Sequence, residues 1–199
     1  MAFSVTEFKA GLKQGGARPS LFKVELQYPT GVTSPPTKAE FLIKGTTIPA
    51  SNIGTHEVFF HGKSIKIAGD RTFDTWDTTI INDEDFGIRK SLEEWMNLVS
   101  NHKLNTRDKR FTATPKGEGE NAAYKGEVII KQYGKAGNEL HHYHLIGAFP
   151  TSLSAIPLDW GTQEIEEFTC TWTFDRWMPG SKPHLLSAEV THGTDLQTQ

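Results

Sequence analysis

The densest cluster of chemically capable side chains is His141-His142-Tyr143-His144. Residues two apart on a β-strand share a face, so His142 and His144 could offer two imidazoles to one metal ion. A metal site also needs a third ligand and groups that orient the rings, and the sequence points to neither. Asp70, Asp74 and Asp77 raise the possibility of carboxylate catalysis, but on a regular strand Asp74 and Asp77 face opposite ways, which spoils a paired-acid geometry. Cys170 is the only cysteine, which excludes an intrachain disulfide framework and a CxxC metal site. It falls on the apolar face of an alternating run, where a thiol packs as a small hydrophobe. The P-loop, GxGxxG, GxSxG and HExxH patterns are missing. Lys103, Arg107, Lys109 and Arg110 form a modest basic cluster that reads as a solvated loop. The expectation is a chain with no catalytic residue, no cofactor and no bound metal.

The totals agree with that expectation. A length of 199 residues suits one domain with a sizeable core. Hydrophobic residues at 36% and charged residues at 23% fit a soluble globular chain. No apolar run approaches the roughly 20 residues that span a bilayer, and the N-terminus lacks the basic start and apolar block of a signal peptide. A formal charge of -3 is too near neutral to indicate nucleic-acid binding by itself.

The elements that must position these residues are mostly strands. Residues 21–28 alternate, with Phe22, Val24, Leu26 and Tyr28 on one face and Lys23, Glu25 and Gln27 on the other. Residues 39–44, 57–61 and 63–68 read as strands, the last two split by Gly62 as at a bulge or bend. Residues 126–133 and 139–149 form a hairpin across Gly134-Lys135-Ala136-Gly137-Asn138. Leu158-Asp159-Trp160 reads as a short strand. Residues 165–177 form the clearest one, with Phe168, Cys170, Trp172 and Phe174 facing the core. Phe3, Phe8 and Leu12 mark a short amphipathic turn or helix near the N-terminus. One long helix is expected over 83–101, with Ile88, Leu92, Trp95, Met96 and Val99 as its apolar stripe. The total of seven or eight strands and one main helix, without βα alternation, predicts a mainly β fold: an antiparallel β-sandwich or barrel with one flanking α-helix.

The stretch from Ile65 to Asp85 organises that arrangement. Ala68-Gly69-Asp70 reads as a tight turn, residues 72–81 as a Thr-rich strand and Asn82 as the N-cap of the helix. Asp83, Glu84 and Asp85 then sit at the helix's positive end. Gly69, Asp70, Arg71, Asp74, Trp76 and Asn82 form the expected structural corner, with Asp70 and Arg71 bonded there. Residues 45–54 read as an exposed connection.

Three stretches taken together resemble the T4-like tail tube family of contractile-tailed bacteriophages. They are Ala17-Arg18-Pro19-Ser20-Leu21-Phe22-Lys23-Val24-Glu25; Ala68 through Trp76 with Asn82-Asp83-Glu84; and Phe149-Pro150-Thr151 with Leu158-Asp159-Trp160 and the strand ending at Trp177. The run from Tyr124 to Tyr133 fits the same pattern. The resemblance implies the phage tail-tube fold over 1–177 as a single domain; the sequence departs from the family pattern at the polar stretch 102–119, read as an exposed loop insertion, and at 178–199, read as a polar C-terminal extension. It implies a structural subunit of the virion that assembles in the bacterial host cytoplasm into stacked hexameric rings, forming the channel for DNA ejection. The partners it implies are further copies of the chain, the tail sheath protein, a baseplate tube initiator and a tail terminator. DNA would pass without specific binding. Thr46, Thr47, Pro49, Ser51 and Asn52 are the candidate inter-ring contacts, because stacking needs a top-to-bottom pair of unlike surfaces. The polar faces of the 126–149 hairpin and of the strands flanking Gly62 are candidates for the lumen. A baseplate-proximal tube initiator and the inner tube of a phage-like contractile injection system are alternatives of the same class. A metal- or carbohydrate-binding β-sandwich using the histidine cluster is the alternative from another class.

Overall fold

The structure, a computed structural model, describes residues 4–12, 16–29, 31–32, 39–103 and 124–180. Among them are nine strands and three helices: α1 (Val5–Gly11), β1 (Phe22–Gln27), α2 (Ala39–Leu42), β2 (Ile43–Thr46), β3 (Asn52–Phe60), β4 (Lys63–Thr72), β5 (Trp76–Ile81), α3 (Gly87–Val99), β6 (Gly126–Tyr133), β7 (Glu139–Leu153), β8 (Glu167–Thr173) and β9 (Arg176–Gly180). Seven strands form one antiparallel sheet in the order β1-β6-β7-β8-β5-β2, with β9 also on β7. β3 and β4 pair only with each other. The mainly β, antiparallel architecture expected from strand patterning is the one observed.

Strand β7 belongs to both halves of the large sheet. Its first part pairs β6 and β9, with Tyr143 opposite Ile130 and Pro179; its last part pairs β8, with Phe149 opposite Thr173. The handover occurs at Gly147, whose φ of 71° is left-handed, and a Cβ there would collide with the Asp175 carboxylate. Only glycine lets the strand bend at that point. The continuous strand expected over 165–177 is accordingly two strands. Phe174 and Asp175 interrupt it so that β9 can move along β7, and Met178, Pro179 and Gly180 belong to β9 and not to a tail.

The core gathers one face of each half-sheet: Val24, Val128, Ile130 and Leu145 from one, Ile43, Trp76, Ile80, Phe168, Cys170 and Trp172 from the other. Helix α3 closes it with Ile88, Leu92 and Trp95, all buried. The Trp95 ring meets Trp172 at 5.6 Å and Tyr28 at 5.5 Å between centroids, and its indole N–H donates to the Tyr124 carbonyl at 2.7 Å. The faces expected for β1, β8 and the helix stripe are those found.

Three local expectations fail for identifiable reasons. Residues 39–42 form a helical turn, not a strand. The turn carries Ala39 into the core and lets Glu40 reach Lys23 of β1 at 2.8 Å. Helix α3 begins at Gly87, with Phe86 as a left-handed N-cap residue, and its first turn contains no acid. Asn82 is not a cap: its N–H and its side-chain amide both bond Glu166, extending the β5–β8 pairing. Asp83 instead closes a turn of its own with the N–H groups of Glu84 and Phe86. Finally, Leu158-Asp159-Trp160 is an exposed turn and not a strand. The expected loop 102–119 lies largely outside the described residues, as does the chain beyond Gly180.

Candidate assembly surfaces

The expected corner at Ala68-Gly69-Asp70 does not exist as a turn. Gly69, Asp70 and Arg71 lie within β4, and the reversal comes earlier, at His61-Gly62, where both residues have positive φ (47° and 80°). Two consecutive left-handed residues between paired strands make the tight hairpin whose twist matches the strands. Gly62 is therefore the hairpin turn, not a bulge. The irregularity sits opposite Gly69, between Ile53 and Thr55, where a Cβ on Gly69 would crowd the His56 ring at 3.0 Å. Asp70 and Arg71 are exposed and make no ion pair among the described residues.

The hairpin is instead held at its base. Asn52 donates to the Asp74 carboxylate at 2.6 Å, the Trp76 indole donates to the Thr47 carbonyl at 2.7 Å, and the Trp177 indole donates to the Ala50 carbonyl at 2.9 Å. Of the expected corner residues, Asp74 and Trp76 bond at this base, whereas Asp70 and Arg71 do not. Thr46 ends β2 and its hydroxyl donates to the Asp77 carbonyl. Thr47, Ser51 and Asn52 are exposed, but Pro49 is buried and faces inward, so it offers nothing to a neighbour.

Beyond its base the hairpin stands clear of the core, to which it contributes no residue. Cross-strand pairs Val58–Ile65, Phe60–Lys63 and His56–Ile67 share one face; Glu57–Lys66 and Phe59–Ser64 share the other. The first face is largely apolar and no described residue covers it: Val58, Phe60, Ile65 and Ile67 are each between 49% and 65% exposed. Sequence reasoning found both strands and considered their polar faces for the lumen, but did not single out this apolar face. A two-stranded hairpin is marginal in water without a third layer, so an uncovered apolar face on one calls for a partner.

A second apolar exposure lies between β7 and β8. Leu158 is 82% and Ile165 71% exposed, and Trp160 is fully exposed. The reading of this segment as a strand concealed it. The outer face of the large sheet is polar and paired: Lys131 bonds Glu25 at 2.7 Å, His144 contacts Glu127 at 2.9 Å and His142 contacts Glu139 at 2.6 Å. Burial works to raise the Glu25 carboxyl, and the Lys131 ammonium, hydrogen-bonded to it, together with Lys23 outweighs that effect, leaving Glu25 below its ordinary range. His142 and His144 thus take separate carboxylate partners, and the described residues contain no group of three side chains placed to hold a metal ion. Burial among aromatic and aliphatic neighbours pushes the Cys170 thiol far up, leaving it an inert packing group.

Comparison with known proteins then places the chain in a family. The sequence model of the phage tail tube protein family matches residues 17–179. The chain belongs to the phage tail tube protein family. The tail tube protein of Enterobacteria phage T4 is 32% identical over 163 residues, covering 81% of this chain and 90% of that protein. The fold of the family member also resembles the tube-terminating cap of the anti-feeding prophage, with a TM-score of 0.58 at 20% identity, covering 85% and 93% of the two chains. It resembles a chain of the sheath–tube complex of an extracellular contractile injection system, with a TM-score of 0.55 at 15% identity, covering 90% and 99%. The resemblance read from residues 17–177 is thus borne out over nearly the whole span. Tail tube proteins are components of the virion.

Proposed function

We propose that this tail tube protein closes into hexameric rings that stack into the inner tube of a contractile-tailed bacteriophage, the channel for DNA ejection. The observation that carries the reading is the β3–β4 hairpin, built as a strand pair with an apolar face that the described residues leave bare. Fully burying one such side chain is worth about 1.5–3 kcal/mol, so covering four that are already half covered yields roughly 3–6 kcal/mol per hairpin. A ring docks six hairpins at once, so one loss of translational and rotational freedom is shared among six contacts. Among the described residues β1 and β2 end the large sheet, and lateral pairing of such edges around a closed ring would leave no free strand. The subunit is made in the bacterial host cytoplasm and acts there only as a building block, with no catalytic step. The tail sheath, a baseplate tube initiator and a tail terminator are its further partners.

Negative-stain microscopy of the purified protein tests this. The expected result is stacked rings or tubes at high protein concentration, reduced to rings or monomers in Val58→Asp. Purified protein that remains monomeric at every concentration would overturn the proposal.

A further inference from the structure

The two apolar exposures are rooted at opposite ends of strand β5. Strand β5 runs from Trp76 to Ile81 beside β8 in reverse, with Trp76 opposite Trp172 and Ile81 opposite Glu167. The hairpin is rooted at the Trp76 end, through Trp76 to Thr47 and Asn52 to Asp74. The segment 154–166 emerges at the Ile81 end, where Ser154 bonds Thr169 and Glu166 bonds Asn82. A strand of six residues separates the two, about 20 Å. Surfaces at opposite poles that differ from each other meet when identical subunits stack head to tail, and such a contact repeats without closing.

We propose that segment 154–166 is the receptor for the β3–β4 hairpin of the next copy along the tube, with Leu158, Trp160 and Ile165 covering Val58, Phe60, Ile65 and Ile67. The proposal rests on the tube reading above and specifies its axial contact. The receptor is held in place at both ends: Arg89 donates to the Ser154 carbonyl at 2.8 Å, and Asn82 holds Glu166 at 2.9 Å. Between them Asp159 accepts the Gly161 N–H at 2.9 Å and shapes the turn that displays Trp160. An indole that brings large apolar area at little entropic cost is what an assembly anchor needs. Charge agrees with shape. Segment 154–166 carries Asp159 and Glu164 at exposed positions and no lysine or arginine, whereas Lys63, opposite Phe60, puts a positive charge at the tip of the hairpin's apolar face; Lys66 lies on the other face, paired with Glu57 at 3.6 Å. The nine residues of β3 give the hairpin a length of roughly 30 Å.

The test uses the full chain. Trp160→Glu is expected to lower the yield of stacked tubes at least tenfold at fixed concentration while leaving rings intact. Independently, Lys63→Cys and Thr162→Cys proteins are mixed before assembly and oxidised; both positions are exposed, and Cys170 is buried and silent. A covalent dimer that forms in the mixture, and in neither protein alone, places hairpin against receptor on different copies. Wild-type tubes alongside equally long Trp160→Glu tubes, or tubes of the mixture without the covalent dimer, would overturn this pairing and leave the tube reading standing. Wild-type protein that forms no tube would instead remove the reading beneath it.

Discussion

Replacing Trp172 by Phe separates the packing of the subunit from its assembly. Trp172 is completely buried, with its ring centroid 6.3 Å from that of Trp76 and 5.6 Å from that of Trp95. Its indole N–H donates to Thr78 Oγ1 at 3.0 Å, and that hydroxyl donates in turn to the Cys170 carbonyl at 3.3 Å. Truncating a buried Trp to Ala costs about 3–5 kcal/mol, and Phe retains the greater part of the ring, so the packing loss is roughly 1–2 kcal/mol. The lost buried hydrogen bond adds about 1 kcal/mol, because Thr78 Oγ1 keeps a partner for its proton but none for its lone pair. The sum, about 2–3 kcal/mol, lowers the Tm of a domain this size by roughly 4–12 °C. Thermal unfolding followed by circular dichroism measures it, below the concentration at which subunits associate, since association raises the apparent midpoint. Trp160→Ala in the same assay should leave the midpoint unchanged, because that ring is fully exposed. A Trp172→Phe midpoint equal to wild type would refute the account of a core locked by three indoles.

Acid sensitivity should report the Glu25–Lys131 pair. Glu25 has a folded pKa below its ordinary 4.5, so its stabilisation is complete above that value and is lost as pH falls through the folded pKa. Lys131→Met should therefore lower stability at pH 7 and flatten the acid limb below pH 4.5, measured by urea unfolding at several pH values. Cys170 should resist a thiol reagent in the folded protein and react fully in denaturant, as colorimetric thiol counting would show. Gly62→Val places a β-branched residue at a φ of 80°, at a cost of about 1–2 kcal/mol confined to the hairpin. Since the hairpin gives the core nothing, light scattering should show a higher assembly threshold while the monomer midpoint stays within error of wild type.

Much of the fold was legible because it is written in period-two alternation. Strands β1, β6, β7 and β8 and the buried faces of β1 and β8 follow directly from it, and α3 from its apolar stripe. The misreadings share one cause, the dependence of local conformation on distant partners. Asn82 has the side chain of an N-cap, yet Glu166 captures both of its donors across the β5–β8 pair. Ala39-Glu40-Phe41-Leu42 is rich in helix formers, a local signal that the strand reading passed over, and the Lys23 ion pair and the core position of Ala39 hold it as a helical turn. Gly69 carries the turn signal, but the chain reverses at His61-Gly62, where the strands on either side can pair.

By itself the sequence determined the antiparallel β class, the buried faces and the family, because burial pattern and ordered motifs are local properties of the chain. Only the tertiary structure decided which apolar alternation is not core. Val58, Phe60, Ile65 and Ile67 have the same pattern as Phe168, Cys170 and Trp172, but one set is sealed beneath α3 while the other stands on a hairpin that no described residue covers. Alternation says that a face must be covered; it cannot say whether the cover comes from the same chain or from the next one.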